Sequence, residues 1–310
     1  PRPAGWDDLA ALGVDLLREA ARRDGRGVFV LSAACGGPTL ADMRRRMLGA
    51  MPAAKWLEYE PISRDHQREA ARAAFGQAVR PVYQLDRAKV IALFDADLLG
   101  AHPDKVRMAR DWAAGRRSAD AGTMNRTHVI ESGFSLTGSN ADYRLPARPQ
   151  RVEQLLFALA QALKVPNVAE APELSLDERS FVGRLAAELA DARGAGLVAA
   201  GDRLSVAAQA VALRINAHLG AVGQTVRVVA EPDADRPTHA EAIRMLTDAL
   251  DAGEVDTLVL LGVNPVYAAP ADLAFGEALA KAGCVIHVGH YVDETAAQSH
   301  WHLPQAHYLE

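Results

Sequence analysis

Cysteine is scarce in this chain. Its 310 residues include only Cys35 and Cys284, which do not form a CxxC pair. A disulfide framework, a cysteine-based zinc site and a cysteine-ligated iron–sulfur cluster all need more cysteines than that. Any iron–sulfur cluster that works with this chain must therefore be bound elsewhere.

The sequence also lacks an excess of positive charge and a long apolar run. Asp and Glu number 39 against 34 Lys and Arg, which leaves a net charge of −5. Proteins that wrap nucleic acid carry a strongly basic surface instead. No window holds the ~18 to 20 consecutive apolar residues that a membrane span needs. We therefore expect no nucleic-acid partner and no direct membrane insertion.

The common nucleotide and hydrolase motifs are missing as well. GxxxxGK[ST] does not occur, and GxGxxG follows none of the apolar runs that predict strands. GxSxG and HExxH are also absent. These absences disfavour an ordinary ATP or NAD enzyme.

Short apolar runs, typical of buried parallel strands, alternate with stretches of helical spacing. The pattern predicts an α/β fold with two Rossmann-like domains, related by internal duplication, each with a mostly parallel four-stranded sheet. A proline-rich join predicts domains at 1–164 and 177–310 with a linker at 165–176. The predicted strands lie near 27–32, 55–59, 89–94 and 127–131 in the first half, and near 196–200, 225–229, 256–261 and 284–288 in the second.

The segments after the last strand of each half repeat each other. Residues 129–146 and 285–304 align on a closing Leu-Pro, which places Thr137 on Thr295. An apolar helix is predicted near 152–163 after the first copy, but the chain ends six residues after the second. We therefore expect a truncated second domain, an uncovered apolar strip on its sheet, and self-association through that strip.

Polar residues follow several predicted strands, where a doubly wound sheet binds nucleotide-like ligands. Asp95 follows the strand near 89–94, and Glu131 ends the strand near 127–131. Asn264 and Pro265 follow the strand near 256–261. These residues are candidates for cofactor binding, although carboxylates and Asn-Pro pairs also serve simply as turn formers.

Five of the ten histidines lie in the last 24 residues, and His300 and His302 would share one face of an extended segment. They suggest a metal hydrolase as an alternative. No carboxylate or cysteine completes a ligand set at a familiar spacing. We therefore predict no metal site.

Three motifs carry a family resemblance. The segment 137–149 has the form T-x-x-x-A-D-x-x-L-P-x-R-P, Gly262–Pro265 reads G-x-N-P, and 295–310 runs from Thr-Ala through Leu-Pro to Leu-Glu. Together they resemble the molybdopterin oxidoreductase (dimethyl sulfoxide reductase) superfamily over nearly the whole chain. The stretches YEPISRDHQREAARAAFG and LLGVNPVYAAPADL are most similar to the molybdopterin-like iron–sulfur subunit of alternative complex III.

This resemblance implies that the chain is a fragment of a periplasmic subunit of a quinol-oxidising electron-transfer complex. Its implied partners are an iron–sulfur domain of the same polypeptide, a c-type cytochrome and quinol-binding membrane subunits. The family cofactor is molybdopterin guanine dinucleotide, and Glu131, Asn264 and Thr295 would lie nearest to it, with Asp95 and Pro265 close by.

The departures from the family pattern point away from a bound cofactor. The family's R-P-G-T-D, which cradles the guanine, reads Arg148-Pro149-Gln150-Arg151-Val152 here. Losing that carboxylate removes a charge-assisted hydrogen bond worth ~1.5 to 3 kcal/mol. Asp95 and Asp97 add negative charge near a place meant for phosphates, and the metal-ligand segment has no cysteine. We therefore expect a cofactor-free scaffold, with a genuine cofactor-binding molybdenum oxidoreductase segment as the alternative.

Overall fold

The computed structural model describes residues 3–117, 124–231, 233–307 and 309–310. Within these residues, no helix is long and apolar enough to cross a membrane. The helices are α1 Trp6–Arg22, α2 Pro38–Ala50, α3 Asp65–Phe75, α4 Lys105–Arg116, α5 Leu136–Ser139, α6 Pro149–Ala162, α7 Leu176–Asp191, α8 Val206–His218, α9 His239–Asp251, α10 Pro265–Ala268, α11 Phe275–Leu279 and α12 Glu294–Gln298. The strands are β1 Val28–Ser32, β2 Lys55–Glu58, β3 Val79–Tyr83, β4 Val90–Phe94, β5 Arg126–Glu131, β6 Tyr143–Pro146, β7 Gly196–Ala200, β8 Val226–Ala230, β9 Thr257–Leu261, β10 Cys284–Gly289 and β11 Trp301–Pro304.

The predicted α/β class is confirmed, and all eight predicted strands are present. The chain forms two compact units, each built around a parallel sheet. Unit 1 combines Pro1–Pro61 with Pro237–Glu310, and unit 2 is the continuous segment Ile62–Arg236.

The sheet of unit 2 has the strand order β6-β5-β4-β7 and is parallel throughout. Strands β4 and β7 are buried along their whole length, which explains their unbroken apolar sequences. Helices α6, α7 and α8 cover one face, and residues of α4 and the 3₁₀ turn Leu85–Arg87 pack on the other. Strands β3 and β8 form a separate antiparallel pair within the same unit.

The sheet of unit 1 has the order β11-β10-β9-β1-β2, also parallel. Helices α9 and α11 pack on one face. On the other face, α1 and α2 reach the β1 end, where Ala20 and Met47 pack with Val28. Along β9 and β10, the side chains on this second face are only half-buried.

The predicted boundary at 165–176 is wrong. Strand β1 pairs with β9, and β7 pairs with β4, so each sheet takes a strand from the other half of the chain. A βαβ pattern shows that strands run parallel but not which neighbour each one takes, because pairing is decided by tertiary contacts. Residues 165–176 instead join α6 to α7 inside unit 2, where Val165 belongs to the apolar core. The sheet of unit 1 also has five strands rather than four.

The two sheets nevertheless follow one plan. Strands β4, β5 and β6 with neighbour β7 correspond to β9, β10 and β11 with neighbour β1. Main-chain bonds repeat too: the amide of Asp95 donates to Ile130 at 2.9 Å, and that of Gly262 donates to Val288 at 2.8 Å. Asp95 and Gly262 both have positive φ, at 48° and 63°.

The expected apolar strip is present in unit 1. In unit 2, α6 and its neighbours bury Ala92, Phe94 and Ile130 on one face of the sheet. The matching face of unit 1 carries Thr257, Val259, Leu261, Cys284, Ile286 and Val288, all half-buried. We call these six residues the open face; self-association through it stays a prediction.

Candidate functional site

Asp95 begins the turn that leaves β4 at the carboxyl edge of the unit 2 sheet. Its carboxylate accepts hydrogen bonds from the Ser132 amide at 2.7 Å and the Ser132 hydroxyl at 3.1 Å. Its positive φ is a costly conformation for a residue other than glycine. Gly201 lies against the Asp95 carbonyl so closely that a Cβ there would overlap it. The Asp95 carboxylate thus links the turns that follow β4 and β5.

Asp97 lies two residues further along the same turn and binds Thr137 of α5. The Thr137 hydroxyl donates to Asp97 Oδ1 at 2.6 Å and accepts from the Leu99 amide at 2.9 Å. The amides of Thr137 and Gly100 also donate to Oδ1, at 3.0 and 3.1 Å. One carboxylate oxygen therefore fixes α5 against the end of β4.

Glu131 is the buried last residue of β5. It accepts from Arg144 Nε of β6 at 2.6 Å and from the Ser135 hydroxyl at 2.6 Å. Gly138 packs against this carboxylate, and a Cβ at 138 would overlap Glu131 Oε1. Each of the three carboxylates at this edge is thus used in holding one loop to the next.

These carboxylates line a cleft of about 460 Å³ at the carboxyl ends of β4, β5 and β7. Tyr83 and His102 also line it. Burial raises the pKa of Tyr83 well above its usual value. Burial, aided by the charge of Arg64, lowers the pKa of His102 to about 4. At neutral pH both groups are therefore uncharged, while Asp95, Asp97 and Glu131 bring negative charge.

The other three predicted residues lie together in unit 1. The Thr295 hydroxyl donates to Asn264 Oδ1 at 2.7 Å and accepts from the Val266 amide at 3.1 Å. Pro265 begins α10, and Asn264 Nδ2 donates to Glu294 at 2.7 Å. Asn264 and Thr295 here make the same bonds as Asp97 and Thr137 in unit 2. The structure therefore groups Asn264, Pro265 and Thr295 in unit 1, and Asp95 with Glu131 in unit 2.

Sequence reasoning noted Asp97 beside Asp95 but missed other members of these clusters, namely Thr137, Ser132, Arg144, Tyr83 and His102. Thr137 had a usable signal, because the aligned Leu-Pro segments already paired it with Thr295. No local pattern marks Tyr83 or His102, because these residues reach the cleft through tertiary folding.

The segment that the resemblance aligns with a guanine-binding loop, residues 148–152, makes packing contacts. Arg151, in the first turn of α6, makes two hydrogen bonds of 2.7 and 2.6 Å to Glu178 of α7. That contact lowers the pKa of Glu178 to about 2. Val152, where the family has its carboxylate, is 0% exposed within the apolar core. These residues do not fit the guanine end of the family cofactor.

The C-terminal histidines bind one another and the main chain. His287 and His302 bring their Nδ1 atoms within 2.9 Å, and His300 Nδ1 accepts from the Val285 amide at 2.9 Å. In the part of the chain that the structure describes, no group of three His, Cys, Asp or Glu residues could hold a metal ion.

Sequence comparisons give no assignment: no family model matches the chain, and no curated protein matches it. Solved structures do match. Acetylene hydratase from Pelobacter acetylenicus has a TM-score of 0.72 at 14% identity, with 100% of this chain and 53% of that chain covered. The formyltransferase/hydrolase complex from Methylorubrum extorquens, solved with methylofuran, has a TM-score of 0.52 at 15% identity, with 93% and 82% covered. At such identities the likeness shows the fold alone, and this chain spans about half the length of the acetylene hydratase chain.

Proposed function

We propose that this chain is part of a molybdopterin-oxidoreductase-like subunit of a quinol-oxidising electron-transfer complex, in which it acts as a scaffold without a cofactor. The motifs around Asp142, Asn264 and Thr295 support this family. The likeness to acetylene hydratase supports a molybdopterin-enzyme-like fold.

The observation that carries the scaffold role is the packing of Val152 and Arg151. A buried valine offers no acceptor to a guanine, and a carboxylate in its place would have to sit in an apolar core. Arg151 is held by Glu178. The neighbouring cleft adds to this reasoning, because Asp95, Asp97 and Glu131 would repel a pyrophosphate.

The alternative is a segment that binds molybdopterin guanine dinucleotide in a molybdenum oxidoreductase. The cleft of unit 2 favours it, since ligands of doubly wound sheets bind outside the carboxyl ends of the strands. Tyr83 and the uncharged His102 would there offer hydrogen bonds.

Analysis of the purified full-length protein separates the two. We expect molybdenum far below one atom per polypeptide and no fluorescent pterin after oxidative release, since the guanine segment does not fit the cofactor. A molybdenum enzyme purified from the same cells is the control for cofactor supply. Stoichiometric molybdenum or pterin would overturn the scaffold role.

The assignment to a complex needs its own test. We expect the full-length protein to co-purify from solubilised membranes with a c-type cytochrome and a quinol-binding subunit, and to fractionate with the periplasmic side of the membrane. Purification as a lone protein from every fraction would contradict that assignment and leave the cofactor result standing.

A further inference from the structure

The strands β10 and β11 of unit 1 are joined by a pair of imidazoles. His287 of β10 is 1% exposed, and its neighbour in register, His302 of β11, is half-buried. The rings are stacked, with centroids 5.2 Å apart and planes inclined by 20°. Their Nδ1 atoms lie 2.9 Å apart, a hydrogen-bond distance.

This geometry fixes the number of protons between the rings. A hydrogen bond between two ring nitrogens needs one N–H and one lone pair. In the neutral pair, one of the two Nδ1 atoms therefore carries the shared proton and the other accepts it.

The groups around His287 have opposing effects on its pKa. Burial has the largest effect and lowers the pKa of His287, and His302 acts in the same direction. Asp293 acts in the other, with Oδ2 3.8 Å from His287 Nε2. The other oxygen of Asp293 accepts from the Ala296 amide at 2.8 Å and so caps α12. The pair is thus connected to the helix that carries Thr295.

Unit 2 holds the matching strands together with an ion pair instead of two imidazoles. Its register pair is Val129 and Arg144, and Arg144 binds Glu131. Unit 1 has Gly289 in the place of Glu131, where a Cβ would lie 2.6 Å from His287 Cε1. The glycine therefore makes room for the imidazole.

We propose that the His287–His302 pair is a pH-sensitive latch that holds β11 and the Asp293 cap of α12 to the sheet of unit 1. While one imidazole is neutral, its Nδ1 lone pair can accept the shared hydrogen bond. When both imidazoles are protonated, each Nδ1 carries an N–H, the two N–H groups face each other, and the latch opens. Opening therefore occurs on acidification.

Hydrogen exchange of the full-length protein, followed by mass spectrometry, tests the latch. Between pH 7 and about pH 5, after correction for intrinsic exchange, we expect protection of peptides from 284–304 to fall about tenfold. Peptides from 137–146, which contain Arg144 and no histidine, are the internal control and keep their protection. An equal change in protection of the two regions on acidification would overturn the proposal.

The variant His302→Gln replaces one imidazole of the pair with an amide that does not titrate. We expect it to stay protected at neutral pH and to lose most of the acid-induced fall, whereas His218→Gln in α8 behaves as the wild type. An unchanged fall in His302→Gln would contradict the latch. If that variant does not fold, NMR titration of the wild-type histidines decides: coupled two-step titration of His287 and His302 supports the latch, and independent titrations refute it.

Discussion

The central strands β4 and β7 of unit 2 are buried on both faces, whereas β9 and β10 of unit 1 are buried on one face only. The four corresponding strands of the two sheets share their order, their direction and a main-chain hydrogen bond, so their backbones do not explain the difference. The coverage does, because α6, α7 and α8 pack where unit 1 has its open face. The same backbone plan therefore supports a closed core in one unit and a half-buried apolar face in the other.

At the carboxyl edges of the two sheets, two neighbouring positions differ in opposite directions. Glu131 and Gly138 in unit 2 correspond to Gly289 and Ala296 in unit 1. In unit 2 the strand position has a side chain and the helix position is a glycine. In unit 1 the strand position is a glycine and the helix position has a side chain. Close packing rarely leaves room for a side chain at both positions. The two units thus share the turn geometry while their side chains differ in pairs.

The largest expected effect compares Ile130→Ala with Ile286→Ala. Both isoleucines lie on the corresponding face, but Ile130 is 0% exposed and Ile286 is half-buried. We expect losses of about 3 to 5 kcal/mol for Ile130→Ala and roughly half that for Ile286→Ala in urea unfolding. Equal losses would show that the open face is covered in solution.

The next comparison removes one charge from the edge of unit 2. Glu131→Gln breaks a buried ion pair whose Arg144 partner keeps some solvent contact, so we expect a loss of about 2 kcal/mol. The control Asp97→Asn should cost less than about 1 kcal/mol, because Asn264 makes the same bond to its threonine in unit 1. Thermal unfolding of the two variants compares their losses of stability. A larger loss for Asp97→Asn than for Glu131→Gln would contradict the expectation.

A double-mutant cycle tests whether positions 131 and 138 at the same edge are coupled. Gly138→Ala overlaps the Glu131 carboxylate, and we expect a loss of about 1 to 3 kcal/mol. In the Glu131→Gly background, which copies the Gly289 and Ala296 pair, this loss should disappear. Urea unfolding of the four proteins gives the coupling energy. A coupling near zero would mean that the two positions vary independently.

The smallest effect concerns Arg151 and is seen best as a function of pH. The Arg151 hydrogen bonds lower the pKa of Glu178 from 4.5 to about 2. Their stabilisation is present above pH 4.5 and is lost as the pH falls towards 2. For Arg151→Thr we expect a loss of about 1 kcal/mol at neutral pH, because the pair is partly exposed. A difference in the free energy of unfolding between wild type and Arg151→Thr that stays constant from neutral pH down to pH 2 would contradict this.

The elements were predictable from the sequence where apolar runs are strong, but their pairing was not. Strands such as 89–94 are continuous apolar segments, and all eight predicted strands form. The missed strands are short or contain polar residues: β6 and β11 are half-exposed edge strands, and β3 contains Pro81. The second partner of β1, the strand β9, follows more than 200 residues later in the chain, beyond the reach of any local pattern.

The candidate site was predicted as single residues rather than as a network. Asp95, Glu131, Asn264 and Pro265 were chosen because parallel strands end at one edge. Ser132 and Arg144 were not chosen, since their contacts form only when β5 and β6 lie side by side. The sequence shows that Val152 departs from the pattern of the family it resembles, but not that Val152 lies in the core, which depends on α6 packing against α7.

Because unit 2 is continuous and unit 1 is interrupted by it, the two units cannot complete folding at the same time on a ribosome. Synthesis proceeds from the N-terminus, so β1 and β2 emerge early and can pair only with each other until β9 is made. Meanwhile residues 62–236 already contain every strand of their own sheet. Unit 2 is therefore expected to fold first, and slow translation before residue 257 would prolong the exposure of the free edge of β1 to aggregation.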